Sequence, residues 1–315
     1  MGDPSATPPD KAADAKPSKT IGQDSVGAAV TCFALAPAGD IVAIGGEDGQ
    51  IRLWSLVTDK VVRTIAAYQE KQYIGRMAFS PDGKRLAFQA DDKPLRLWDL
   101  ATDKEVGRCP EELFIVDQIC VSPDGKRIGI VSDNVGYVWN VETDKTWKSD
   151  QPVNAMAFSP DGKALALGFN TVRLVEAESG RGIKEVGKMT GHVTSLRFDP
   201  SGVQILALDG SCPGTTIRIL DTITGKETLL AEKIPLHEIG AAYSPDGKII
   251  AASDGAGRAV FWEVSSGGKF GMLAGIYPLT DTVIFLPDGK SLLAATTNQG
   301  AAIQVWELSG IVRTK

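Results

Sequence analysis

Histidine is almost missing from this chain: His192 and His237 are the only two in 315 residues. They stand 45 residues apart, at matching places in two successive repeats, so they read as loop residues before a strand rather than as a catalytic pair. Cysteine is scarce too. None of Cys32, Cys109, Cys120 and Cys212 has zinc or haem spacing, and Cys32 and Cys120 lie where a thiol acts as a small hydrophobe. A disulfide through Cys109 or Cys212 would need an oxidising compartment; four reduced thiols in the cytoplasm are the simpler expectation. No apolar stretch approaches a membrane span. No basic n-region precedes an apolar run, so no signal peptide is visible, and Ala6 breaks the myristoylation pattern of a Met-Gly start. Basic charge is not in excess either. A net charge of −6 and a pI near 5.1 argue against nucleic acid as the main partner. Gly-x-Ser-x-Gly, P-loop and His-Glu-x-x-His patterns are all absent, and the isolated Asp-Gly turns lack the alternating oxygens of a calcium loop. The chain therefore reads as a non-enzymatic protein without a cofactor or metal.

What is abundant is turns. Pro-Asp-Gly, or a near copy, recurs at Pro37, Pro81, Pro123, Pro160, Pro200, Pro245 and Pro287, at intervals of 44, 42, 37, 40, 45 and 42 residues. A period of 40–45 residues signals a propeller built from one repeated four-stranded blade. Before each turn the residues four and two positions back are apolar, as in Met156 and Phe158, which puts them on one face of a strand. After it come an apolar run, a second polar turn such as Glu47-Asp48-Gly49, and a third strand ending in Trp. Trp54, Trp98, Trp139, Trp262 and Trp306 share that place, whereas units four and five carry Val175 and Leu220 there. A tryptophan once per unit reads as packing between units. Trp147 alone is out of phase, on a fourth strand, and is expected to be exposed.

These residues resemble the WD-repeat family, whose units end their third strand in Trp-Asp. Trp98-Asp99 is the literal match, and Trp54-Ser55, Trp139-Asn140, Trp262-Glu263 and Trp306-Glu307 are variants. Gly191-His192 fits the family's Gly-His before the first strand, but the unit that holds it lacks the Trp of the family's hydrogen-bonded tetrad. The fold expected is all-β: a seven-bladed β-propeller of four-stranded antiparallel blades in a single closed ring. It would occupy residues 18–315, after a disordered tail or linker over residues 1–17 of Pro, Ala, Asp and Lys. Lys19-Thr20-Ile21 stands before the first unit as Arg63-Thr64-Ile65 stands before the second, so the N-terminal segment is expected to close the ring. The rival is Ile311-Val312-Arg313-Thr314. Six-bladed accessory propellers of the TolB type share the Ser-Pro-Asp-Gly-Lys turn, and metal-dependent propeller hydrolases use a ring of channel carboxylates.

The resemblance implies a monomeric scaffold that binds proteins or peptides at the rim where the first strands begin, around the central channel. Aligning the units collects Tyr73, Arg76, Phe114, Asp117, Asn154, His192, His237, Glu238, Tyr277 and Asp281 at that rim, together with Gln72, Gln118, Gln151 and Thr194. Tyr73, Phe114 and Tyr277 are the expected anchors. The carboxylates Asp117, Glu238 and Asp281 would favour a partner segment carrying Lys or Arg.

Overall fold

The structure, a computed structural model, describes residues 16–68, 72–90, 93–113, 115–211, 214–234, 240–277, 280, 282–296 and 302–313. The expected tail falls almost wholly outside these residues. The described strands form seven antiparallel sheets. Blade 1 takes its strands in order from Val30–Leu35, Ile41–Gly46, Gln50–Ser55 and Lys60–Ala66. Blades 2 to 6 repeat this order, beginning at Ile74, Gln118, Ala155, His192 and Ala241. Blade 7 is composite. Thr282–Phe285, Ser291–Thr296 and Ala302–Glu307 are joined by Lys19–Ile21 as the fourth, outer strand, with Ile21 opposite Ile303 and Lys19 opposite Val305. The N-terminal segment thus closes the ring. The rival segment goes elsewhere: Val312–Arg313 pairs with Lys269–Ala274 as a fifth strand on blade 6. Seven blades set aside the six-bladed alternative.

The seven turns explain why the repeat folds. All seven turn glycines, from Gly39 to Gly289, have φ between 64° and 76°, which only glycine adopts without strain. In blade 2, Ser80 Oγ donates to Asp82 Oδ1 at 2.6 Å and accepts the Arg85 N–H at 2.9 Å. Asp82 accepts the Lys84 N–H at 3.1 Å. The same pattern recurs at Ser122/Asp124, Ser159/Asp161 and Ser244/Asp246. In blade 5 the two residues are exchanged, and the Ser201 hydroxyl donates back to Asp199. The chemistry survives the swap.

Among the described residues the core is divided into seven apolar clusters, each lying between two adjacent blades. Four in-phase tryptophans are buried in them, with Trp139 and Trp306 at 0% and 1% exposure. Trp98 is only half-buried and donates its indole N–H to Asp103 at 3.1 Å. Trp147 departs from expectation. It is half-buried, packs against the cluster that holds Val175 and Ala177 of blade 4, and donates its N–H to the Ala177 carbonyl at 3.3 Å. A Cβ on Gly180 of that blade would lie 2.8 Å from the Trp147 ring. Val175, at the tryptophan position of blade 4, and Trp147 thus belong to the same cluster between blades 3 and 4.

Candidate functional site

First strands form the inner wall of the ring, and hydrogen bonds run from one to the next. The Thr31 hydroxyl donates to the Ile74 carbonyl at 2.7 Å, and Arg76 Nε donates to the Asp117 carbonyl at 2.7 Å. Gln118 spans blades 3 and 4, donating to the Met156 carbonyl at 3.0 Å and accepting its N–H at 2.8 Å. Several of these residues sit beside β-bulges, which open the register between Val30 and Cys32 and between Ile74 and Arg76. A third bulge lies in blade 5 between Val193 and Ser195.

Around this inner ring the structure brings Arg76, Asp117 and Gln118 together at blades 2 and 3. Arg76 and Asp117 are exposed. Burial pushes the Asp117 carboxyl above its ordinary range, the Arg76 charge opposes that, and Asp133 adds to it. Tyr73, 46% exposed, stands just before the first strand of blade 2. Elsewhere on the rim, Asn154 is half-buried with its backbone N–H donated to Gly168 at 2.8 Å. His192 is the first residue of a strand, paired with Gly210, rather than part of a preceding loop. Its exposed ring lies 4.7 Å from that of Phe169. Tyr277 is half-buried near blade 7; its N–H goes to Gln304 at 3.1 Å and its carbonyl accepts the Thr280 hydroxyl at 2.6 Å. Phe114, His237, Glu238 and Asp281 lie outside the described residues.

Two sets of arginines were missed by the rim alignment, except for Arg76. On the third strands, two residues before the Trp position, Arg52 pairs with Asp48 at 2.6 Å and Arg96 with Glu105 at 3.4 Å. Arg173 pairs with Asp150 at 3.4 Å, and Arg218 with the fully buried Asp209 at 3.3 Å. Arg96 also lies 4.2 Å over the Tyr68 ring. These four tie hairpins together at the rim. The second set is on the inner wall, where Arg76 and Arg197 have no ion pair with a described carboxylate. Position three before the turn proline holds Ala34, Ala78, Cys120, Ala157, Arg197, Ala242 and Ile284 in the seven units. That list alone could have singled out Arg197.

Burial pushes the Cys32 and Cys120 thiols up to about 12 and Cys109 to about 11, so none is a nucleophile at neutral pH. Among the described residues no group of three or more His, Cys, Asp or Glu could hold a metal ion, and no helix is long and apolar enough to cross a membrane.

Comparison with known proteins agrees with this architecture. The family described as WD domain, G-beta repeat matches residues 16–55, and the anaphase-promoting complex subunit 4 WD40 domain matches residues 116–201. An uncharacterized WD repeat-containing protein of Synechocystis sp. is 27% identical over 150 residues, which cover 47% of this chain and 42% of that protein. The β-propeller domain of Cps50 (Swd1) from Myceliophteria thermophila superposes with a TM-score of 0.76 over 93% of this chain and all of that domain, at 20% identity. Seven four-stranded blades in one ring, with WD-repeat matches inside it, support placing this chain among the WD40 propellers.

Proposed function

We propose that the chain is a non-enzymatic, monomeric scaffold that holds a protein or peptide segment against the channel-side rim. WD40 propellers are in general protein-interaction scaffolds. The observation that carries the reading here is Tyr73, a large aromatic 46% exposed directly before the first strand of blade 2, which carries Arg76. Exposed aromatics next to complementary charge are typical interface anchors. Phe114 and Tyr277 belong to the same proposed surface, as do Asn154, His192, His237, Glu238 and Asp281. The carboxylates Asp117, Glu238 and Asp281 would draw a segment carrying Lys or Arg, raising its on-rate more than its affinity. A hydrolase would need a ring of channel carboxylates, and at the position three before the turn proline the seven units carry Ala, Cys, Arg and Ile. A reducing compartment such as the cytoplasm suits the free thiols Cys32, Cys109 and Cys120. Capture of a partner from source-cell extract, followed by titration, tests the reading. Tyr73→Ala should weaken binding by about 1 kcal/mol or more, roughly five-fold, with the melting temperature unchanged. Normal binding by that variant, together with loss of binding on substitution at the Pro-Asp-Gly turns of the opposite face, would refute it.

A further inference from the structure

Arg197 is the one long charged side chain at its level of the inner wall. Five of the six equivalent positions hold Ala or Cys, and the sixth holds Ile284. It lies on the innermost strand of blade 5, on the turn side of the rim, and is exposed to the channel solvent. Its only hydrogen bond among the described residues runs from Nη1 to the carbonyl of its neighbour Leu196, at 2.9 Å. That bond ties it to no other blade. The Cys120 thiol, two blades away, feels its charge. Desolvation by the wall holds Arg197 below the ordinary arginine value, Cys120 opposes that, and no carboxylate among the described residues does. An unpaired guanidinium on the channel wall offers its free N–H donors to an anion in the channel. The four third-strand arginines each have their carboxylate; this one lacks it.

We propose that Arg197 binds an oxyanion inside the channel, the carboxylate of an Asp or Glu side chain that a rim-bound peptide segment turns inward. One guanidinium presents a planar fork that fits one carboxylate in a bidentate pair. A phosphate dianion would call for a second free cation. Arg76, the other first-strand arginine without an ion pair among the described residues, stands two aligned positions closer to the rim and already donates to the Asp117 and Gly75 carbonyls. The inference rests on the rim reading above and specifies one feature of its partner.

The test pans a randomised ten-residue peptide library on the immobilised full chain. Peptides selected by the wild-type chain should carry Asp or Glu at one fixed position at least five-fold above input. Arg197→Ala should remove that enrichment, Arg197→Lys should keep part of it, and Tyr73→Ala should reduce overall recovery without changing the acidic position. Arg197→Ala should also melt at the same temperature as the wild type or higher. Selected peptides with no acidic position, or one that survives Arg197→Ala, would overturn the channel site and leave the rim reading standing. A lower melting temperature for Arg197→Ala would make the residue structural and equally overturn it. Displacement of selected peptides by millimolar inorganic phosphate, with no Asp or Glu preference among them, would assign the site to a small oxyanion instead. Recovery of no peptide would overturn both readings.

Discussion

At the scale of single residues, position in the repeat and burial are separate properties. Trp98 is in phase and Trp147 is not, yet both are half-buried and both donate their indole N–H within the protein. Trp139, also in phase, is fully buried. Truncating Trp139 to Ala should therefore cost about 3–5 kcal/mol, the range for a buried aromatic. Trp98→Ala and Trp147→Ala should each cost less and resemble one another. Because Val175 and Trp147 belong to one cluster between blades 3 and 4, Val175→Trp in the Trp147→Ala background should recover part of the loss. Urea midpoints for the four variants check this, and a Trp147→Ala midpoint equal to the wild type would show that the cluster does not need that ring. The in-phase tryptophans were legible in the sequence because a period fixes them. Trp147 was not, because it is buried against residues of the next unit, outside the repeat that contains it. Arg197 is the reverse case: the seven aligned units display it, but a list of rim residues begins too far up the strand to include it.

At the scale of elements, the Ser-Pro-Asp-Gly turn carries more than its backbone shape. The sequence shows Pro, Asp and Gly in their turn roles, and those hold. It gives less sign of the preceding Ser, whose hydroxyl links the turn carboxylate to the next strand. Hydroxyl donation from Ser80, Ser159 and Ser244 holds Asp82, Asp161 and Asp246 below the ordinary carboxylate value of 3.8. At Asp124 burial pushes upward, and Ser122, the Lys126 N–H and Arg127 together outweigh it. A carboxyl whose folded value is depressed stabilises the fold fully above its unfolded value, and that contribution is lost as pH falls through the lower folded values. Stability should accordingly fall below about pH 3.8 as these turns protonate. The triple variant Asp82→Asn, Asp161→Asn, Asp246→Asn keeps an acceptor oxygen at each turn but cannot titrate. Its urea midpoint should be lower than the wild type at pH 6 and fall less steeply between pH 4 and pH 2, both values chosen to bracket that window. Parallel acid profiles for the two proteins would place the acid sensitivity elsewhere.

At the scale of the whole molecule, the number of blades and the path of the chain could be read from seven turns, whereas the fate of the two end segments could not be settled that way. Each resembles a fourth strand, and pairing partners far apart in sequence leave no periodic mark. The structure gives the two segments different work. Lys19–Ile21 completes blade 7, while Val312–Arg313 only widens blade 6. Ring closure should depend on the first. Ser18 donates both its N–H and its hydroxyl to the Val305 carbonyl, at 2.7 and 3.0 Å, and Ile21 is completely buried in the cluster between blades 7 and 1. Lys19 reaches Asp59 of blade 1 at 3.5 Å, a partly exposed pair that adds little by itself. Losing Ile21 alone should cost about 2–5 kcal/mol, and losing the strand also bares the edge of blade 7. A chain lacking residues 1–25 should thus melt at a clearly lower temperature and become prone to self-association, whereas one lacking residues 1–17 should match the full chain. Removal of residues 311–315 should be the milder change at the other end, because blade 6 keeps its four strands. Equal melting temperatures for the 1–17 and 1–25 deletions would mean that three strands suffice to close blade 7.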